Sequence, residues 1–588
     1  MLRRYSALAV AACFAIHILS SSAFRCDVRM RIDSGWVCGL RRRGEYNTEY
    51  ASFRGIPYGQ QPLGELRFKE LQPVRPWPHN LDATEEGPIC PQHDELYGRM
   101  MAPKRGMSES CIYANVHVPL EALPDLESAD EFEYKDCDNY RNKKGVPILV
   151  FIHGGGFQSG SGDTDLHGPE YLVSKGIIVI TFNYRINVFG FLSLNTPKIP
   201  GNAGLRDQVT LLRWVQRNAR AFGGDPSDVT LAGQSAGASC AHLLSLSNVT
   251  KGLFKRVILM SGSAIPAYYT VSPIYAKQAA TRFLTILGIN STDPDLVHEQ
   301  LVRTPLEDIL NANTVFQHES GLVSFVPVRE DELPDYERIV DDYPIKLIEQ
   351  GRGKEYPMIV GFTNNECEFF KRRFLKIDAL GRIKANPLGI LRLEIPFTTL
   401  PNVALALANK VIDWYFRGKL NIKDYLEVCR DTLFMYPAFK VSEWRAKMHD
   451  AAPVYLYQFA YEADFSAVKA GLNLEYNGTA HVEDLTNIFR ENALLDDRQS
   501  FPPVNRDDSM KDWMTQFVIE FMNCDKPTCS EWGWYPVQAD HLNYQNIQEP
   551  TVYDNVVPTK CQGQIIKFFD MIEQIARNSS LDTSIMTT

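Results

Sequence analysis

Beyond its first two dozen residues the chain has no apolar run long enough to cross a bilayer. A spanning helix needs about 20 consecutive apolar residues, so no membrane span is expected in the body of the chain. Positive charge is not in excess either. The formal net charge is −10, which argues against a nucleic-acid backbone or an anionic membrane as partner. Repeats, heptads and low-complexity tracts are missing, which excludes solenoid and coiled-coil architectures. No Cys/His spacing resembles a zinc site, and neither a metal nor a cofactor is expected. The last residues, IARNSSLDTSIMTT, lack the hydrophobic tail of a GPI signal.

What is present begins at the N-terminus. Arg3 and Arg4 precede an apolar run from Ala7 to about Leu19, and Ser21 and Ala23 stand at −3 and −1 of a cleavage site. This layout predicts a secretory signal peptide over residues 1–23, leaving residues 24–588 as one domain in extracellular fluid. The alternative is an N-terminal anchor, for which the run is short. Twelve cysteines suit an oxidising compartment. Eleven remain without Cys13, so at least one lacks a partner within the chain. Cys90 and Cys111 flank a polar stretch whose closure contributes about 3 kcal/mol in the loop-entropy view. Cys26 with Cys38 and Cys524 with Cys529 are local candidates. Cys240 lies among small apolar residues and reads as a buried thiol. N-x-S/T sequons mark Asn248, Asn290, Asn477 and Asn578 as candidate glycan sites on surface loops.

Short β-branched apolar runs alternate with amphipathic stretches. Strands are predicted at 146–153, 176–184, 228–233, 256–262, 356–362 and 453–459. Continuous apolar runs of this length suit strands buried on both faces of a largely parallel sheet. Leu211, Leu212, Trp214 and Val215 recur at helical spacing between the second and third strands. The β-α-β rhythm predicts an α/β fold with long insertions, one over about 263–355.

Residues 229–239, VTLAGQSAGAS, place Ser235 between Gly233 and Gly237. G-x-S-x-G alone is a weak signal and also fits a plain tight turn. Here a strand runs into it and a small-residue helix leaves it, as a nucleophile elbow requires. Independently, VFIHGGGFQSG (150–160) is a strand followed by three glycines, an oxyanion-hole pattern. Gly155, Gly156 and the N–H of Ala236 are the expected donors. No G-K-[ST] follows, which counts against a phosphate cradle. A serine nucleophile needs a base, and the base an orienting acid, in the order Ser, acid, His on this fold. His449, His481 and His541 come late enough. His481 is preferred because NGTAHVEDL is a small-residue turn after the last predicted strand. Glu366, the first carboxylate past the strand at 356–362, is preferred over Glu368.

These stretches resemble the type-B carboxylesterases of the cholinesterase-like family over essentially the whole mature length. The resemblance is carried by FRGIPYGQQPLGELRF (53–68), HGGGFQSG, TFNYRINVFGFLSL (181–194), GQSAG, GFTNNEC and GTAHVEDL. It implies the α/β-hydrolase fold, with Ser235 as nucleophile, Glu366 as acid, His481 as base and Gly155, Gly156 and Ala236 as oxyanion donors. It also implies the Cys90–Cys111 disulfide. Within the family the chain most resembles the insect juvenile hormone esterase group, through GQSAG, Arg67-Phe68, Asp207-Gln208 and the box from Gly478 to Asp484. Two residues depart from the wider family. Cys367 stands where glycine commonly follows the acid, and Gln234 replaces the glutamate that cholinesterases carry, so no preference for a choline-type cation is expected.

The resemblance implies acyl transfer to water through an acyl-enzyme. The expected substrate is a small apolar ester, the sesquiterpenoid methyl ester of that group or else an odorant, pheromone or dietary ester. A hormone carrier protein is a further partner compatible with this reading. The insertion at 263–355, with AIPAYYTVSPIY and VFQHESGLVSF, is the expected source of an apolar cavity wall. A non-catalytic binding protein on the same fold would break the triad, which here reads whole.

Overall fold

The computed structural model describes residues 25–124, 145–265, 270–392, 394–495, 506–530 and 533–579. The expected leader, residues 1–23, lies outside them. The strands are β1 (Val28–Ile32), β2 (Gly35–Arg43), β3 (Glu49–Pro57), β4 (Leu81–Asp82), β5 (Tyr113–Pro119), β6 (Val146–Ile152), β7 (Ile178–Phe182), β8 (Gly224–Gln234), β9 (Arg256–Met260), β10 (Met358–Thr363), β11 (Val454–Phe459), β12 (Tyr544–Ile547) and β13 (Asn555–Val556). They form one 13-stranded sheet in the order β1-β2-β3-β5-β7-β6-β8-β9-β10-β11-β12-β13, with β4 on β2. From β7 to β12 every pairing is parallel.

The six predicted strands are the parallel centre of this sheet. β7, β9 and β10 are buried at every position, as strands covered on both faces must be. Helix α1 (Ala203–Asn218) buries Leu211, Leu212, Trp214 and Val215. The insertion folds into α2 (Pro273–Ile286), α3 (Pro294–Arg303) and α4 (Leu306–Ser320). Ser272 and Asp293 cap α2 and α3 ahead of a proline in the first turn.

Register places the site. Ile152 pairs with Gly233, and Gln234 with Met260, whose other neighbour is Gly361. The glycine loop after β6, Ser235 after β8 and Glu366 after β10 therefore leave the sheet at one carboxyl edge, where open α/β sheets form their sites.

Among the described residues four disulfides are formed: Cys26–Cys38, Cys90–Cys111, Cys367–Cys429 and Cys524–Cys529. Cys240 is free and buried, and burial pushes its thiol up to about 12. Cys561 is free and exposed, and Cys137 lies outside the described residues. The sequence reading did not pair Cys367. Its partner stands 62 residues downstream, and closing a loop of that length contributes about 4 kcal/mol in the loop-entropy view. Cys367→Ser combined with Cys429→Ser should lower the unfolding free energy by about that amount, read as a lowered guanidinium midpoint. An unmoved midpoint would refute the stabilising role.

Candidate active site

Ser235 occupies a strained turn between β8 and the helix Ala236–Leu246. Its φ of 57° and ψ of −124° lie outside the ordinary regions, a strain characteristic of functional turns. The flanking glycines are required by contact. A Cβ on Gly233 would come 2.3 Å from the Gly237 carbonyl oxygen, and one on Gly237 2.1 Å from that of Ile152. The Ser235 N–H donates to Met260 O at 2.8 Å, tying the elbow to β9.

Glu366 follows β10 in a single 3-10 turn and is fully buried. Its Oε1 accepts the N–H of Thr363 at 2.7 Å. Its Oε2 lies 2.6 Å from His481 Nδ1. The His481 N–H donates to the Glu366 carbonyl oxygen at 3.1 Å, so backbone and side chain both join the two residues. A carboxylate on Nδ1 fixes the proton there and leaves Nε2 as the basic nitrogen. Glu368, the alternative acid, instead pairs with Lys371 at 3.2 Å.

Nε2 of His481 lies 3.1 Å from Nε2 of Gln234. Among the described residues the imidazole's hydrogen-bond partners are Glu366 and Gln234, so Ser235 Oγ is not bonded to it in the resting arrangement. Such bonds often form only in the substrate complex. The turn presenting His481 is built by the two acids that follow it. Glu483 accepts the Ala480 N–H at 2.5 Å and the Tyr476 hydroxyl at 2.9 Å. Asp484 accepts the Tyr457 hydroxyl at 2.7 Å. Burial, then the charge of Glu366, pushes Asp484 up to about 6. Val482 adopts φ 80°, rare for a β-branched residue.

Three phenylalanines wall the imidazole, at centroid distances of 5.6 Å for Phe369, 5.1 Å for Phe370 and 4.9 Å for Phe434. Phe434 sits in a π-helical turn, Asp431–Met435, a feature frequent at functional sites. That turn follows Cys429, and Cys367 follows Glu366, so the disulfide joins the acid's turn to the segment carrying Phe434. Sequence reasoning missed this wall. The pattern E-C-E-F-F carried the only local signal for it.

Gly155 and Gly156 have φ of 104° and 62°. A Cβ on Gly155 would sit 2.0 Å from the Ser159 carbonyl oxygen, so only glycine fits. Among the described residues, the N–H groups of Gly155, Gly156 and Ala236 meet no protein acceptor. A Cβ on Gly156 would lie 3.7 Å from Val323 and 3.9 Å from Leu96. The stretch VFQHESGLVSF thus does reach the glycine loop, whereas residues 266–269 of AIPAYYTVSPIY lie outside the described residues.

The other candidates are placed elsewhere. The side chains of His449 and His541 are 92% and 59% exposed beside Asp450 and Asp540. Burial pushes His153 down to about 4 and His242 to about 3, so both are neutral core residues. Arg67 forks onto Glu109 and reaches the carbonyls of Leu301 and Thr304. Asp207 forks onto Arg185. Both act as internal staples. Asn248, Asn290, Asn477 and Asn578 are all exposed.

A mostly parallel sheet under helices, with a strained serine after a central strand and a paired acid and histidine after later ones, defines an α/β-hydrolase. Residues 27–564 match the Carboxylesterase family, and the chain belongs to that family. It is 48% identical to the juvenile hormone esterase of Heliothis virescens over 546 residues, 92% of this chain and 94% of that one. It is similar to the crystal structure of juvenile hormone esterase from Manduca sexta with OTFP covalently attached. That match has a TM-score of 0.88 at 50% identity, covering 93% of this chain and 99% of that one. A carboxylic ester hydrolase of Bombus ignitus is 28% identical over 93% of this chain and 94% of its own. The chain is a carboxylic ester hydrolase, and no helix of the described residues is long and apolar enough to cross a membrane.

Proposed function

We propose that this protein is a secreted serine esterase that cleaves the methyl ester of juvenile hormone to the free acid. The observation carrying the chemistry is the 2.6 Å Glu366–His481 pair beside the strained Ser235. His481 Nε2 takes the proton of Ser235 as Oγ attacks the ester carbonyl. The N–H groups of Gly155, Gly156 and Ala236 stabilise the tetrahedral oxyanion. The imidazolium protonates the leaving methoxide, giving methanol and an acyl-serine. Water, deprotonated by the same nitrogen, then releases the acid and restores Ser235. Glu366 holds the tautomer and stabilises the imidazolium. The covalent adduct in the Manduca neighbour supports an acyl-enzyme route.

The hormone reading rests on the two juvenile hormone esterases that match over more than nine-tenths of this chain. Phe369, Phe370, Phe434, Leu96 and Val323 around the catalytic groups suit an apolar chain. A conjugated ester carbonyl is less electrophilic than an acetate, and three donors compensate for that. The disulfides fit secretion after removal of residues 1–23.

The test is hydrolysis of radiolabelled juvenile hormone beside a short aryl ester by the secreted protein. Strong preference for the hormone at sub-micromolar concentration is expected. Fast aryl-ester turnover with little hormone cleavage would move the assignment to a general or odorant esterase.

A further inference from the structure

Ester hydrolysis as proposed above assigns no work to Gln234, yet this side chain holds the atom on which the chemistry turns. It is 1% exposed. It is lodged between the glycine loop and the base: a Cβ on Gly154 would lie 2.6 Å from Gln234 Oε1, while Gln234 Nε2 lies 3.1 Å from His481 Nε2. Its own backbone ends β8, so its position is fixed by the same register that fixes Ser235.

With the proton on Nδ1 toward Glu366, the lone pair of Nε2 faces Gln234, and the amide donates to it. The resting base is therefore engaged by Gln234, not by Ser235. Once Nε2 has taken the serine proton it becomes a donor and needs an acceptor. A primary amide can meet both states, because a half-turn of its terminal group replaces N–H with C=O. A carboxylate can only accept, so it favours the imidazolium.

We propose that Gln234 is a positioning residue for the base, donating to His481 Nε2 in the resting enzyme and accepting from it after proton transfer. This deepens the function proposed above and rests on its assignment of Ser235 and His481. A glutamate at this position would place a negative charge beside His481 Nε2, which the neutral amide does not. Among the described residues the charged groups coupled to the imidazole are Glu366 on its Nδ1 and Asp484, whose own carboxyl feels both Glu366 and His481. The elements bearing Phe369, Phe370 and Phe434 present aromatic rings to it.

The experiment is the pH profile of kcat/KM for a neutral short aryl ester, measured on wild type, Gln234→Glu and Gln234→Leu, with melting curves to establish folding. Gln234→Glu should move the acid limb upward by about one pH unit and recover activity within a few-fold on the alkaline side. Gln234→Leu, which can neither donate nor accept, should leave the acid limb within a few tenths of a unit and lower kcat about tenfold, with KM nearly unchanged. If the Gln234→Glu profile superimposes on wild type, or falls uniformly without moving, the proposal is overturned. If Gln234→Glu does not fold, Gln234→Leu decides: wild-type kcat refutes the role. A Ser235→Ala control separates the two readings, since activity surviving in it overturns the nucleophile assignment, whereas its loss leaves Gln234 as the sole question.

Discussion

Ser235→Ala should lower kcat by about a millionfold and leave the melting temperature nearly unchanged. Alanine keeps the Cβ of serine, so the turn at φ 57° costs it no more than it costs the native residue. Neither the contacts of Gly233 and Gly237 nor the Ser235 N–H bond to Met260 O involves the hydroxyl. What disappears is the oxygen proposed above to form the acyl-enzyme. The three N–H groups of Gly155, Gly156 and Ala236 survive, so a residual rate of about 10³–10⁴ over water is expected. Turnover of an aryl ester, with a melting curve on the same sample, makes the measurement. Activity within tenfold of wild type in a folded variant would rule out Ser235 as the nucleophile.

The centre of this fold was legible because its strands are buried on both faces and so spell continuous apolar runs. The edges were not. β1 reads Val-Arg-Met-Arg-Ile, buried at every second residue, and its arginines hide it from a search for unbroken runs. The elbow was legible because strand, turn and helix are contiguous. The proposed acid was narrowed to two carboxylates, and only three-dimensional pairing separates Glu366 on the imidazole from Glu368 on Lys371. The remainder is carried by contacts between distant positions. Cys367 meets a partner 62 residues away, and Gln234 meets His481 across 247. Local spacing holds no trace of such pairs. Gln234 was readable as a missing negative charge, but not as a partner of the His481 imidazole.

Glu366→Gln should lower kcat by about 10⁴-fold. Both native carboxylate oxygens accept, one from the Thr363 N–H at 2.7 Å and one from His481 Nδ1–H at 2.6 Å. An amide supplies one acceptor and one donor for two positions that each require an acceptor. If its oxygen faces His481, its NH₂ opposes the Thr363 N–H inside a fully buried pocket, at a cost of about 1–3 kcal/mol. If its NH₂ faces His481, Nδ1 must give up its proton, and Nε2 then carries one and cannot take that of Ser235. That tautomer also sets Nε2–H against the Gln234 amide, which must turn its oxygen inward to satisfy it. Either orientation removes the negative charge that stabilises the imidazolium. The check is single-turnover acylation of Glu366→Gln and Glu368→Gln from pH 6 to 9. Collapse of the first with near-native rates in the second is the expected result. The reverse would make Glu368 the acid and require the 366–368 turn to rearrange on substrate binding.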